Sequence, residues 1–178
     1  MNFQTRLSAS YLKTGGVISN PTDTIQGLTC LPKFKPSMAK ILQLKHRSSA
    51  KGLILLASDV GYFIDYIEDA CLLLKVTIDT QPTTYLLKAN EHVCKLLTGD
   101  FDTVALRLTN NQLITNLCVA TNSALVSSSA NIASKRSATS MLDLKKFFSD
   151  KLDFIIPPKT YNAQASKIIN LQTGEKIR

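Results

Sequence analysis

Along the chain, stretches with apolar residues three or four apart alternate with short continuous apolar runs, the pattern of helices interleaved with buried strands. The first periodic stretch predicts a helix from about Asn2 to Lys13, with Leu7, Tyr11 and Phe3 on one face and Gly15-Gly16 closing it. Val17 to Asn20 then reads as a buried strand stopped by Pro21. A second helix should start at Ser37 and carry Met38, Ile41, Leu42 and Leu44 toward His46, with a basic last turn. The run from Gly52 to Ala57 is continuous, as an interior strand requires, and Asp59 can cap a following helix that reaches about Glu68.

Further strands are expected at Thr83–Ala89, Thr103–Leu108, Ala124–Ser128, Phe154–Ile156 and Lys167–Leu171, with helices near Glu91–Leu97, Asn111–Ala120 and Ser140–Phe148. A Thr-Gly turn at Thr173-Gly174 predicts a terminal hairpin. Neither repeat nor linker interrupts the pattern. The expectation is a single α/β domain over residues 1–178, a twisted mixed sheet flanked by helices.

Composition narrows the partners. The 178 residues carry 21 Lys+Arg against 13 Asp+Glu, a formal charge of +8, whose field favours polyanions such as nucleotides, pyrophosphate or RNA. A solubility charge without ligand meaning is the plainer alternative. Cys30, Cys71, Cys94 and Cys118 lie far apart with only His46 and His92 to complement them, so no structural zinc spacing is present. The start of the chain has no signal-peptide pattern, and apolar runs such as Leu53–Ala57 fall far short of the ~20 residues that span a bilayer. These features predict a cytoplasmic protein with reduced thiols and no membrane partner.

Three polar segments stand out, whereas phosphate-loop, dinucleotide and nucleophile-elbow motifs are missing. Asn20-Pro21-Thr22-Asp23-Thr24 is a strand end running into a turn dense in hydroxyls, able to bond a small polar ligand or simply to cap the next segment. Lys45 and Arg47, two apart at a helix end, can converge on one anion if the helix breaks there; alternatively they complement the helix dipole. In Val126-Ser127-Ser128-Ser129-Ala130-Asn131 the pleat would point Ser127, Ser129 and Asn131 one way, toward a ligand or toward solvent.

Together and in this order, Pro21-Thr22-Asp23-Thr24-x-x-Gly27, Lys45-x-Arg47 with Lys51-Gly52-Leu53-Ile54-Leu55, and Val126 to Asn131 resemble the signature segments of the YrdC-type, TsaC-like threonylcarbamoyl-AMP synthases in their short single-domain form. Weaker similarity covers Leu97 to Arg107 and Ser166 to Arg178. The resemblance implies an enzyme, a nucleotidyltransferase that condenses L-threonine, bicarbonate and ATP into threonylcarbamoyl-AMP and releases pyrophosphate, for modification of tRNA by downstream threonylcarbamoyl-transferase proteins. It implies catalytic roles for Lys45, Arg47, Ser129 and Asn131. It places Arg47, Lys51, Ser129, Asn131 and Arg178 on ATP, and Thr24, Thr84, Ser127 and Ser166 on threonine. Arg107 also aligns with a family position. Mg²⁺ is expected to arrive with ATP and not to occupy a protein cage. Gln26, Thr29, Ala133-Ser134 and Asn170 depart from the usual family residues, an aromatic, Gly, Ser-Gly and Asp respectively. An RNA-binding module of the same fold and a relative with another activity are the competing readings.

Overall fold

The computed structural model describes residues 1–161 and 166–177. The helices are α1 (Phe3–Lys13), α2 (Lys35–Leu44), α3 (Lys95–Thr98), α4 (Gln112–Thr121) and α5 (Met141–Phe148). The strands are β1 (Ile18–Pro21), β2 (Gln26–Cys30), β3 (Ile54–Ala57), β4 (Thr83–Lys88), β5 (Thr103–Leu108), β6 (Leu125–Ser129), β7 (Phe154–Ile155) and β8 (Lys167–Asn170). All eight join one mixed sheet in the order β7-β1-β2-β6-β3-β5-β4-β8. The pairs β1/β7, β3/β5 and β4/β8 are parallel, and the others antiparallel. No helix among the described residues is long and apolar enough to cross a membrane.

Register sorts the side chains into two faces. Val126, Leu55, Leu106 and Tyr85 align across β6, β3, β5 and β4 on one face, all of them buried. Their alternates Ser127, Ile54, Arg107, Thr84 and Ile168 align on the other, because successive residues of a strand face opposite ways. Apolar packing closes the first face, while Ser127, Arg107 and Thr84 stand among Ile54 and Ile168 on the second.

Several elements depart from the expectations of the sequence. Helix α1 buries Thr5, Ser8, Ala9 and Leu12, whereas Phe3 is exposed and Tyr11 stacks on Phe154 at 5.7 Å. Its inward hydroxyls are satisfied locally, Thr5 by Asn2 Oδ1 at 2.8 Å and Ser8 by the Gln4 carbonyl at 2.8 Å, so they can be buried at small cost. Pro21 ends β1 as its last paired residue, opposite Gln26 of β2. Strand β2 itself was not expected. Asp59 does cap the next segment, accepting from Gly61 N at 2.7 Å, but Val60–Tyr66 winds as a 3-10 helix, as does Ala70–Lys75. Each buries one side chain, Phe63 and Leu73, too sparse a stripe to anchor an α-helical face. Helix α3 is a single turn, shorter than Glu91–Leu97 would give.

At the C-terminal end an isolated antiparallel bridge, Ile169 to Lys176, forms the expected hairpin, with Gly174 at φ +74° in its turn. Asn170 Oδ1 supports that turn by accepting from Gln172 N at 3.0 Å and Thr173 N at 3.3 Å.

Candidate active site

Helix α2 ends in a Schellman turn: His46 N donates to Gln43 O at 3.0 Å and Arg47 N to Leu42 O at 3.0 Å, with His46 in the left-handed region at φ 48°. The helix thus breaks between the two cations, and they part. Lys45, only 2% exposed, turns to the end of β6, where its Nζ donates to the Ser129 carbonyl, to Ser129 Oγ at 3.2 Å, to the Asn131 carbonyl at 3.0 Å and to Asn131 Oδ1 at 2.9 Å. Ser129 Oγ donates to Asn131 Oδ1 at 2.5 Å, closing the cluster. Burial, with Arg47 adding to it, pushes the Lys45 ammonium down to about 7. Arg47 points instead along a cavity wall, with Nη2 held by the Gly52 carbonyl at 3.0 Å and the Lys51 carbonyl at 3.3 Å.

That cavity, about 450 Å³, lies over the polar face of the sheet and brings together Thr24, Arg47, Ser127, Ser129, Asn131 and Ser166. Gly27 belongs to its wall because a Cβ there would stand 3.2 Å from Thr22 Cγ2 and 3.4 Å from Ser127 Oγ. The turn after β1 is fixed by Thr22, whose Oγ1 donates to Ile25 O at 2.7 Å and accepts from Thr24 N and Ile25 N. Thr84 does not line the cavity but supports it, donating to Ser166 Oγ at 3.2 Å from the neighbouring strand. Lys51 is exposed and does not line the cavity; its carbonyl accepts from Arg47 Nη2 at 3.3 Å. Arg178 lies outside the described residues.

Arg107 is the cavity residue whose importance the sequence understates. It rises from β5 with its side chain 8% exposed, 3.3 Å from Asp23 Oδ1 and 3.5 Å from Thr24 Oγ1. The ion pair is made by distance alone, since Asp23 Oδ1 receives no hydrogen bond. Both Arg47 and Arg107 keep a buried Nε–H without a protein acceptor. A charged residue inside Thr103–Leu108, on the same face as Ser127, was the available signal.

The departures from the family pattern sit mostly outside this cavity. Gln26, fully buried, donates to Ser19 Oγ at 2.9 Å and Ile156 O at 3.0 Å and accepts from Tyr161 at 3.1 Å, so it ties β1 to the end of β7. Thr29 is buried with its hydroxyl unpaired. Ser134 holds φ 64°, a conformation that favours glycine. A larger, open hollow of about 790 Å³ lies at the carboxyl ends of β3 and β5, with Asp59, Asp65, Tyr62 and Tyr66 in its wall. It holds none of the motif residues and, among the described residues, no cation.

A mixed sheet carrying one buried and one half-buried guanidinium group among short hydroxyls defines a site suited to a small polar ligand together with an anion. The Sua5/YciO/YrdC family model, described as "Telomere recombination", matches residues 10–178. The chain is 37% identical to a threonylcarbamoyl-AMP synthase of Nitrosococcus oceani, covering 99% of this chain and 98% of that protein. It is 35% identical to the synthase of Idiomarina loihiensis, covering 95% and 94%. Among solved structures, P. abyssi Sua5 complexed with L-threonine matches with a TM-score of 0.83 at 24% identity over 94% of this chain, which spans about half, 51%, of that one. E. coli YciO matches with a TM-score of 0.81 at 21% identity, over 98% and 87%. The chain belongs to the Sua5/YciO/YrdC family.

Proposed function

We propose that residues 1–178 act as one catalytic domain, a threonylcarbamoyl-AMP synthase that makes threonylcarbamoyl-adenylate from L-threonine, bicarbonate and ATP with release of pyrophosphate. The relatives of this name match along nearly their whole length. The observation that carries the reading is the pair of guanidinium groups, Arg107 buried and Arg47 half-buried, each with a buried Nε–H lacking a protein acceptor, in a cavity whose other polar lining is hydroxyls and the Asn131 amide. Arg47, beside Ser129 and Asn131, would receive the polyphosphate. Arg107, beside Thr24, would receive the amino-acid carboxylate, with Ser127 and the Ser166–Thr84 pair at the remaining polar groups.

Chemistry at such a site needs no protein nucleophile. Threonine's amine and bicarbonate give a carbamate and water. A carbamate oxygen then attacks the α-phosphorus, and the bond to the bridging oxygen breaks to release pyrophosphate. Catalysis of this kind rests on positioning and on charge neutralisation. Lys45 serves by fixing Ser129 and Asn131, and it brings a cation behind them. Mg²⁺ would enter on the triphosphate, since Asp23, the carboxylate of this region, is turned to Arg107. On the same reading the product feeds threonylcarbamoyl transfer to tRNA in the cytoplasm, and tRNA is a further proposed partner through the charge of +8.

Incubation with threonine, bicarbonate, Mg²⁺ and ATP should yield threonylcarbamoyl-AMP by mass, and pyrophosphate release should require both threonine and bicarbonate. Release that proceeds without threonine, or a product of another mass, overturns the assignment.

A further inference from the structure

The wall that holds Arg47 is built from two lengths of backbone packed face to face. Gly52 at φ +58° and Gly99 at φ +67° meet with no room for a side chain on either. A Cβ on Gly99 would run into the Ala50 carbonyl oxygen and stand 2.6 Å from Gly52 N, and one on Gly52 would run into the Leu97 carbonyl oxygen. Across this contact Leu53 N donates to Leu97 O at 3.0 Å and Asp100 N to Ala50 O at 3.0 Å. The near side of the contact is the 3-10 turn Ser49–Lys51, capped by Ser48, whose Oγ accepts from Ala50 N at 3.2 Å. Its last carbonyls, Lys51 O and Gly52 O, are the ones to which Arg47 Nη2 donates. The far side leads from Gly99 into β5, the strand that carries Arg107.

We propose that the packing of Gly52 on Gly99 holds the Arg47 guanidinium at the cavity wall, which makes Gly99 and Ser48 positioning residues for the nucleotide's polyphosphate. The inference rests on the synthase reading and adds how one of its cations is held. A guanidinium whose Nη2 is committed to two fixed carbonyls presents its other N–H groups in one direction, and bidentate phosphate recognition depends on that direction. Both glycines lie where any L side chain would be strained as well as blocked. Neither glycine lines the cavity, nor does Ser48. Any effect of changing them must travel through the two carbonyls.

The test measures ATP and threonine binding separately, by calorimetry on the full chain. Gly99→Ala should fold, by circular dichroism, with a lower melting temperature and an ATP affinity at least about tenfold weaker, the scale of one charge-assisted hydrogen bond. Its threonine affinity should stay within about twofold, since the two carbonyls hold Arg47, whereas Arg107 is held by Asp23 and Thr24. Should Gly99→Ala fail to fold, Ser48→Ala decides: it removes only the cap of the turn, should weaken ATP several-fold with threonine unchanged, and should be restored by Ser48→Thr, which keeps the capping oxygen. Equal losses for ATP and threonine, or an unchanged ATP affinity in folded variants beside a wild type that binds ATP, overturn the inference alone. A wild type that binds no ATP overturns the synthase reading and this inference with it.

Discussion

Lys45 carries two demands that oppose each other. Its Nζ sits among oxygens of Ser129 and Asn131 that favour the ammonium, yet burial and Arg47 bring its pKa from near 10.5 to about 7. In the unfolded chain the group holds its proton to about pH 10.4. Between about 7 and 10.4 the unfolded state therefore binds the extra proton, and the ligand-free protein gains stability from this group as pH rises through that window. Below about 7 the cost of the buried charge is fully present. A polyphosphate beside Arg47 reverses the balance by favouring the ammonium, so ATP binding near pH 8 should take up part of a proton. Calorimetry in two buffers of different ionisation enthalpy reads this directly: uptake should be largest near pH 8 and vanish near pH 6. A wild type that binds ATP with no proton uptake at pH 8 would show that Lys45 is already charged there. Truncating Lys45 to alanine is a poor probe of catalysis, because it strands several buried acceptors at once.

At the scale of elements, two non-glycine residues are held in the left-handed region beside the site, His46 at φ 48° in the break after α2 and Ser134 at φ 64° in the loop after β6. Such a residue costs roughly 1 kcal/mol where glycine would be relaxed. Ser134→Gly should raise stability by about 0.5–1 kcal/mol, a rise in melting temperature of roughly 1–4 °C for a chain of this size. Ser134→Ala keeps the strain and should leave the melt unchanged; equal melts for the glycine and alanine variants would show that the loop stores no strain. The turn at His46 also explains what could be read beforehand. The pair Lys45 and Arg47 and the serine segment were legible because cations and small hydroxyls are costly to place beside buried strands without a purpose. Their division of labour was not, since it depends on one backbone dihedral at His46. Strand β2 escaped notice because Gln26 and Thr29 are polar yet buried, flanked by β1 and β6, with Gln26 satisfied by Ser19, Ile156 and Tyr161. Apolar periodicity places helix α1 along the chain but turns it the wrong way, because Thr5 and Ser8 hide their hydroxyls in local hydrogen bonds that such periodicity does not register.

Over the whole molecule, charge is divided between two hollows, an acidic one at the carboxyl ends of β3 and β5 and the cavity over the polar face that holds Arg47 and Arg107. The segment from Ser58 to Asp79 holds Asp59, Asp65, Glu68, Asp69 and Asp79 against the single cation Lys75, in a chain whose formal charge is +8. Two of those acids line the hollow at the carboxyl ends of β3 and β5, while Arg47 and Arg107 line the cavity over the polar face. A polyanion therefore meets a favourable field on approaching the cavity and an unfavourable one near the acidic hollow. Threonine, a zwitterion, gains little from either. Raising salt from about 0.1 M to about 1 M shortens the screening length from about 10 Å to about 3 Å, which removes the long-range part of that field but spares contacts inside the cavity. The association rate of ATP should consequently fall several-fold across this range while its dissociation rate changes little, and threonine binding should hardly respond. Stopped-flow measurements of both ligands separate the outcomes. An ATP association rate insensitive to salt would mean that the nucleotide is captured by local contacts alone and that the excess of Lys and Arg serves another partner.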